Sequence, residues 1–430
     1  MEFESLKGFR DFLPEEMVAR REVFQRIEGV VQSFGFREID LPSLEKMKLF
    51  EVKSGEELVD QTYSFEDKGE RKVTLIPEQT PSRARVLAKE KSLNEPVKWY
   101  STSKRWRYEQ TQKGRLREFY QTDVDIFGAD SVEADAEIIT VLVEIMREMG
   151  VEKAVEVLIN DRNLVEEVLD KEDVEDKRKV MEVIDDREKM SPEEFLEELM
   201  DIGLDKDRAE RIDDIVGIKG PLDEKLDDLE ELVSGDVEGA LERMEELAEI
   251  LENYGVLENV KLDMSIVRGL DYYTGLVFEV FDKKGELRAI CGGGRYDELV
   301  ELFGGEEVPA VGFAIGDAVI EELMRREDVW PKEKLMTDVY VLPVSKSVVE
   351  EATEIVRELR GEGLVVETDL KDRNVSAQLN YANYIGAEKV IIVGERDLDE
   401  GKVTVKEMES GEEELVKIED VTQKEFKSTR

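Results

Sequence analysis

The sequence predicts an α/β protein in three parts: an α+β domain built on an antiparallel sheet, a helical insertion inside it, and a small C-terminal α/β domain. Three observations carry this prediction. β-Branched and aromatic residues concentrate in short segments before residue 130 and again after residue 260. Between them, residues 163–255 are rich in Glu, Asp, Leu and Met at helical spacing, with almost no strand signal. Beyond a polar linker, strand-like and helix-like stretches alternate. A chain of 430 residues has room for about three domains, each with its own core.

The elements follow in order. Pro14-Glu15-Glu16 opens a helix running to about Phe34, because proline suits a first helical turn and acids suit the positive end of the helix dipole. Lys72–Ile76, Val97–Glu109 and Arg117–Phe127 read as strands. Ser131 caps a helix with Ile138, Leu142, Ile145 and Met149 on one face, and Gly150 stops it. In the insertion, Ser191-Pro192-Glu193-Glu194 combines an N-cap, a first-turn proline and a capping-box glutamate. Strand-like sequence returns over Lys261–Phe281, Ala289–Cys291 and Pro309–Gly316, so the first domain comprises residues 1–162 and 256–328. Trp330–Lys334 is the linker. Residues 336–430 then read β-α-β-α-β: Val339–Val344, Val348–Leu359, Leu364–Thr368, Gln378–Ile385 and Val390–Val393.

Composition removes whole classes of chemistry. The chain has 106 acidic and 61 basic residues, a net charge of −45, and no histidine. Imidazole-based triads, zinc sites and general bases are therefore excluded. A single cysteine, Cys291, excludes internal disulfides and predicts a reducing, cytoplasmic setting. No apolar run reaches the roughly 18 residues of a membrane span, and Met1-Glu2-Phe3-Glu4 does not open a signal peptide. The acidity is uneven: residues 163–255 hold 34 acidic and 12 basic residues, a net of −22. Acidity on this scale fits a solvated surface adapted to high intracellular salt.

Against that background Lys98–Arg117 is an island of seven basic residues and one acid, Glu109. The turn-like Gln110–Gly114 suggests two antiparallel strands joined by an exposed basic loop, with Trp106 and Tyr108 between the arginines. Such a loop suits an anion or a base; alternatively, its cations pair with the acidic insertion. Arg268 stands beside Gly269 on an otherwise apolar stretch and needs an anion, either a substrate phosphate or an internal carboxylate. Read as strand, Tyr272 and Tyr273 point to opposite faces, leaving one of them for a pocket. Cys291-Gly292-Gly293-Gly294 allows close backbone approach before a helix start, and Cys291, with no histidine to activate it, reads as packing.

These segments resemble the histidyl-tRNA synthetases, class II aminoacyl-tRNA synthetases, over essentially the whole chain. Lys7–Pro14 looks like that family's N-terminus. Arg107-Tyr108-Glu109, Gln112–Arg115 and Arg117–Gln121 resemble the second class II motif. Arg268–Tyr273 and Gly293–Asp297 resemble the histidine-specific signatures, and Gln378–Ala382 with Ile385–Ala387 resembles the anticodon-binding domain. Phe36–Pro42 looks like the first motif, through which class II domains pair as homodimers.

The resemblance implies an enzyme that activates histidine with ATP and Mg²⁺ and esterifies histidine tRNA. It places Glu78 and Thr80 on the amino group, and Gln121, Asp125, Tyr272 and Tyr273 around the amino acid, Asp125 and Tyr273 reading the imidazole. Arg107 would grip the α-phosphate, Glu109 would lie near the adenine, and Arg268 would meet the carboxylate and α-phosphate. Gln112, Lys113 and Arg115 would face tRNA. No resident metal site is implied. Val319 departs from the third class II motif, whose arginine would contact the γ-phosphate and adenine; Arg325 and Arg326 come too late on the helix to replace it. That gap favours the alternative, a catalytically silent regulatory paralogue of histidine biosynthesis. Arg107, Arg268 and the anticodon-binding-like domain favour the synthetase.

Overall fold

The computed structural model describes residues 3–51, 56–90, 93–233, 238–267, 272–333, 335 and 337–421. Residues 1–11 with 23–330 form one compact unit, and residues 12–22 with 331–430 form another. The first helix spans Pro14–Ser33, and the described residues of the larger unit form twelve strands. They are β1 (Arg37–Glu38), β2 (Leu44–Lys46), β3 (Tyr63–Glu66), β4 (Lys72–Leu75), β5 (Val97–Trp106), β6 (Glu118–Phe127), β7 (Val155–Asp161), β8 (Lys219–Pro221), β9 (Val260–Asp263), β10 (Leu276–Asp282), β11 (Cys291–Arg295) and β12 (Ala310–Gly316). Nine of these form one sheet in the order β1-β5-β6-β12-β11-β10-β7-β9-β8, antiparallel from β5 through β7. β2, β4 and β3 form a small separate sheet.

The helix Val132–Glu148 lays Ile138, Leu142 and Ile145 into the core and ends before Gly150, whose φ of +73° suits a residue without Cβ. The described residues of 163–255 form helices and their connections apart from the short β8, and the capping box forms: Glu194 N–H donates to Ser191 Oγ at 3.2 Å, and Ser191 N–H donates to the Glu194 carboxylate at 2.8 Å. Phe195, Leu199, Met244 and Leu251 belong to the same apolar cluster as Ile138, Ile159 and Phe278. The insertion helices thus bury their apolar faces in a core continuous with that of the large sheet.

Two local expectations change. Residues 264–267 and 272–275 are irregular rather than strand, because β9 ends at Asp263 and β10 begins only at Leu276. The glycine run, expected only to allow close backbone approach, is itself a strand, β11, paired on both sides. A Cβ on Gly294 would come 2.8 Å from the Leu276 carbonyl and 3.1 Å from the Tyr273 ring. These glycines therefore let neighbouring strands and a site tyrosine close in.

The smaller unit holds β13 (Thr337–Pro343), β14 (Val366–Thr368), β15 (Ala387–Val393), β16 (Lys402–Glu407) and β17 (Glu413–Lys417), in the order β14-β13-β15-β16-β17. Val339 and Val341 pack beneath Ile355 and Leu359 of the helix Val349–Gly361, while Tyr340 and Leu342 pack with Ala382 on the other face. A strand covered on both faces explains the unbroken apolar run. The hairpin β16–β17 is missing from the sequence-based expectation, although Val403 and Val405 alternate with Lys402, Thr404 and Lys406. Among the described residues, no helix is long and apolar enough to cross a membrane.

Candidate active site

β6 is the spine of the site. Gln121, Asp123 and Asp125 fall on one face by strand alternation. Opposite them stand Ser103, Ser101 and Trp99 of β5, and Gly316, Ala314 and Gly312 of β12. Apart from Trp99, these neighbours are serine, alanine or glycine, and they leave a trough over the three polar side chains. A cavity of about 360 Å³ lies there, lined by Glu78, Thr80, Arg107, Glu109, Arg115, Gln121, Asp125, Tyr272 and Tyr273 among others. Nine of the residues singled out from sequence therefore share one cavity. Gln112 and Lys113 lie outside it, exposed on the β5–β6 turn. Arg268 lies outside the described residues.

At the inner end, Asp125 is not a bare carboxylate. It is ion-paired to Arg83 and accepts from the Tyr296 hydroxyl. Arg83 is fully buried and also donates to Ser101 Oγ at 2.8 Å and to the Asp123 carbonyl at 3.3 Å. Burial lowers its pKa to about 10, against the opposing pull of Asp123. Arg105, equally buried, pairs with Asp123, and Gln121 donates to Asp123 at 2.8 Å. Two arginines and two aspartates thus neutralise one another beneath the trough.

Both Tyr272 and Tyr273 line the cavity, because residues outside a strand need not alternate. Tyr272 donates to the Glu78 carboxylate at 2.8 Å, and its ring meets Tyr273 edge-on at 5.4 Å. Burial raises the phenol pKa of Tyr272, Tyr273 and Tyr296, so all three stay hydrogen-bond donors at neutral pH. Burial likewise raises the Cys291 thiol, which agrees with a packing role.

The outer end is cationic. Arg107 donates to the Pro77 carbonyl at 3.0 Å and lies over the Phe119 ring at 5.6 Å. Arg115 pairs with Glu109 at 3.1 Å. The three lysines of the island are ion-paired: Lys98 with Glu137, Lys104 with Glu118 at 2.7 Å, and Lys113 with Glu322 at 3.1 Å. Their partners lie outside residues 163–255, so these described pairs do not join the island to the acidic insertion.

Sequence reading passed over Arg83, Asp123, Tyr296 and Arg288, all of which bear on this cavity. Tyr296 sits in the quoted Gly293–Asp297 signature and could have been found there. Arg83 begins as an ordinary helical arginine in Thr80–Leu87, and only tertiary burial makes it part of the site.

The histidyl-tRNA synthetase family profile matches residues 8–318, and an anticodon-binding domain profile matches residues 338–427. The chain is 44% identical to the histidine–tRNA ligase of Thermoplasma volcanium over 429 residues, covering 98% of both chains. It is 46% identical to that of Haloarcula marismortui over 420 residues, covering 97% of this chain and 96% of the relative. The solved structure of histidyl-tRNA synthetase from Nostoc sp. superposes with a TM-score of 0.84 at 26% identity, covering 98% of each chain. The matched anticodon-binding domain and full-length relatives named as ligases do not favour the silent regulatory paralogue. The chain belongs to the histidyl-tRNA synthetase family, the enzymes that charge tRNA with histidine.

Proposed function

We propose that this cavity binds histidine at its inner end and ATP at its outer end, and forms histidyl-adenylate between them. The carrying observation is the polarity of the trough along β6. Asp125 pairs with Trp99 well inside β5, whereas Arg107 and Glu109 follow the end of β5 and Arg115 precedes β6, so the acid and the arginines of this cavity lie toward opposite ends. From Asp125 to Phe119, six residues of strand span roughly 20 Å, enough for an amino acid laid end to end with a nucleotide.

In this reading Glu78 and Thr80 hold the α-ammonium group. Asp125 and Tyr273 meet the imidazole nitrogens, with Tyr272 supporting Glu78 and Gln121 orienting the amino acid. The neutralised Arg83–Asp125 pair favours the neutral imidazole, since no net charge is left to stabilise an imidazolium. Histidine's carboxylate is ionised already, so its attack on the α-phosphorus needs no base; pyrophosphate departs. Catalysis then rests on alignment and charge neutralisation, supplied by Arg107 and by Arg268. The absence of protein imidazole is therefore no obstacle. In the second step a terminal ribose hydroxyl of tRNA attacks the adenylate carbonyl, a phosphate oxygen takes the proton, and AMP departs as the ester forms. Gln112, Lys113 and Arg115 would face the acceptor end of the tRNA.

A magnesium ion would be held mostly by nucleotide phosphates, with the cavity carboxylate Glu279 as its protein ligand. Bound so, the ion would neutralise phosphate charge.

Histidine-dependent exchange of labelled pyrophosphate into ATP tests the site. Folded protein that shows no exchange at any salt concentration would falsify it. A homodimer through the Phe36–Pro42 segment is also proposed, supported by its likeness to the first class II motif. Light scattering should give twice the chain mass of 49.4 kDa, and a monomer at native salt would rule the dimer out.

A further inference from the structure

Sheet topology brings three connections to one end of the large sheet: the β5–β6 turn, the β10–β11 loop and the start of the helix after β12. The first carries Arg115, the second Arg288 and the third Val319, and all three residues line the cavity. Val319 is buried, and Gly114, at φ +74°, packs against it so closely that a Cβ on Gly114 would come 3.2 Å from Val319 Cγ2. The basic turn thus occupies the space into which a long side chain at 319 would extend. Nor can the arginines farther along that helix serve: Arg325 pairs with Glu321 at 3.0 Å, and Arg326 pairs with Asp282 at 2.6 Å.

Arg288 is different. Among the described residues it makes no ion pair and no side-chain hydrogen bond. It is solvent-exposed at the cavity rim, and Arg115, Glu109, Arg107 and Glu279 are its nearest charged influences. Desolvation first, and then Arg115 and Arg107, lower its pKa, as expected where cations crowd without an anion between them. Three arginines around two glutamates leave this end short of negative charge. A ligand carrying several phosphate charges would correct that, and a guanidinium suits phosphate oxygens geometrically.

We infer that Arg288 binds the outer phosphates of ATP, delivering from the β10–β11 loop the cation that Val319 cannot supply. The inference rests on the reading of the cavity as the ATP site and extends it to the triphosphate tail.

Full-length Arg288→Ala and Arg288→Lys test it by pyrophosphate exchange and by calorimetric titration with ATP and AMP. Arg288→Ala should raise the KM for ATP roughly 10- to 100-fold while that for histidine stays within about twofold, and Arg288→Lys should recover part of the loss. Affinity for AMP should hardly change, since AMP lacks the outer phosphates. Equal losses for ATP and AMP, or parallel rises in both KM values, would overturn the assignment, as would an unchanged KM for ATP. Arg107→Ala run in parallel separates the two levels. If it too keeps full exchange, the reading of the cavity fails; if only Arg288→Ala is silent, the cavity stands and Arg288 has no part in it.

Discussion

Replacing Arg83 with methionine should destabilise the larger unit by about 3–5 kcal/mol, the usual cost of removing one partner from a buried ion pair. Arg83 and Asp125 are respectively fully buried and 2% exposed, so little solvent reaches the carboxylate left behind. Methionine keeps the length of the aliphatic stem, which confines the loss mainly to charge and hydrogen bonding. Adding Asp125→Asn should restore part of the stability by removing the stranded charge. Urea denaturation of both variants measures this. If the double variant is no more stable than Arg83→Met, the pair is not the cause. Protonation also relieves an unpaired carboxylate, so the deficit of Arg83→Met should shrink as the pH falls through the carboxylate range and be fullest above it.

Arg107→Ala should leave stability nearly unchanged and lower kcat for pyrophosphate exchange about 10²- to 10³-fold, or about 3–4 kcal/mol of transition-state stabilisation. Among the described residues its side-chain contacts are a backbone carbonyl at 3.0 Å and an aromatic face at 5.6 Å. An arginine with so little to hold in the folded chain is free to hold a phosphate. Steady-state kinetics decide whether it acts in the transition state. A raised KM for ATP with kcat intact would make it a ground-state contact only.

Much of this was legible in the sequence. The strands β5, β6 and β12, the capped helices and the two-faced strand β13 follow from patterns of period 2 and 3.6 that survive any tertiary context. Gln121 and Asp125 were named through the family resemblance, and strand alternation then explains why they share a face of β6. What failed depended on distant chain. Tyr272 and Tyr273 share a pocket because the strand ends before they begin, and a local apolar pattern cannot show where pairing stops. The glycines of β11 do not read as a strand until the Tyr273 ring and the Leu276 carbonyl are seen beside them. Arg83 and Arg288 are both written as surface residues. Burial converts one into a counter-charge for Asp125, and topology carries the other to the cavity rim.

The compensated charge beneath the trough has a spectroscopic consequence. A chain without histidine contributes no imidazole resonances of its own. In a complex with isotopically labelled histidine, every ring carbon and nitrogen signal therefore belongs to the ligand. The nitrogen shifts of a neutral ring separate its two tautomers, and an imidazolium differs from both. The ionisation favoured by the Arg83–Asp125 pair, and the nitrogen that faces Asp125, become directly visible without editing away a protein background.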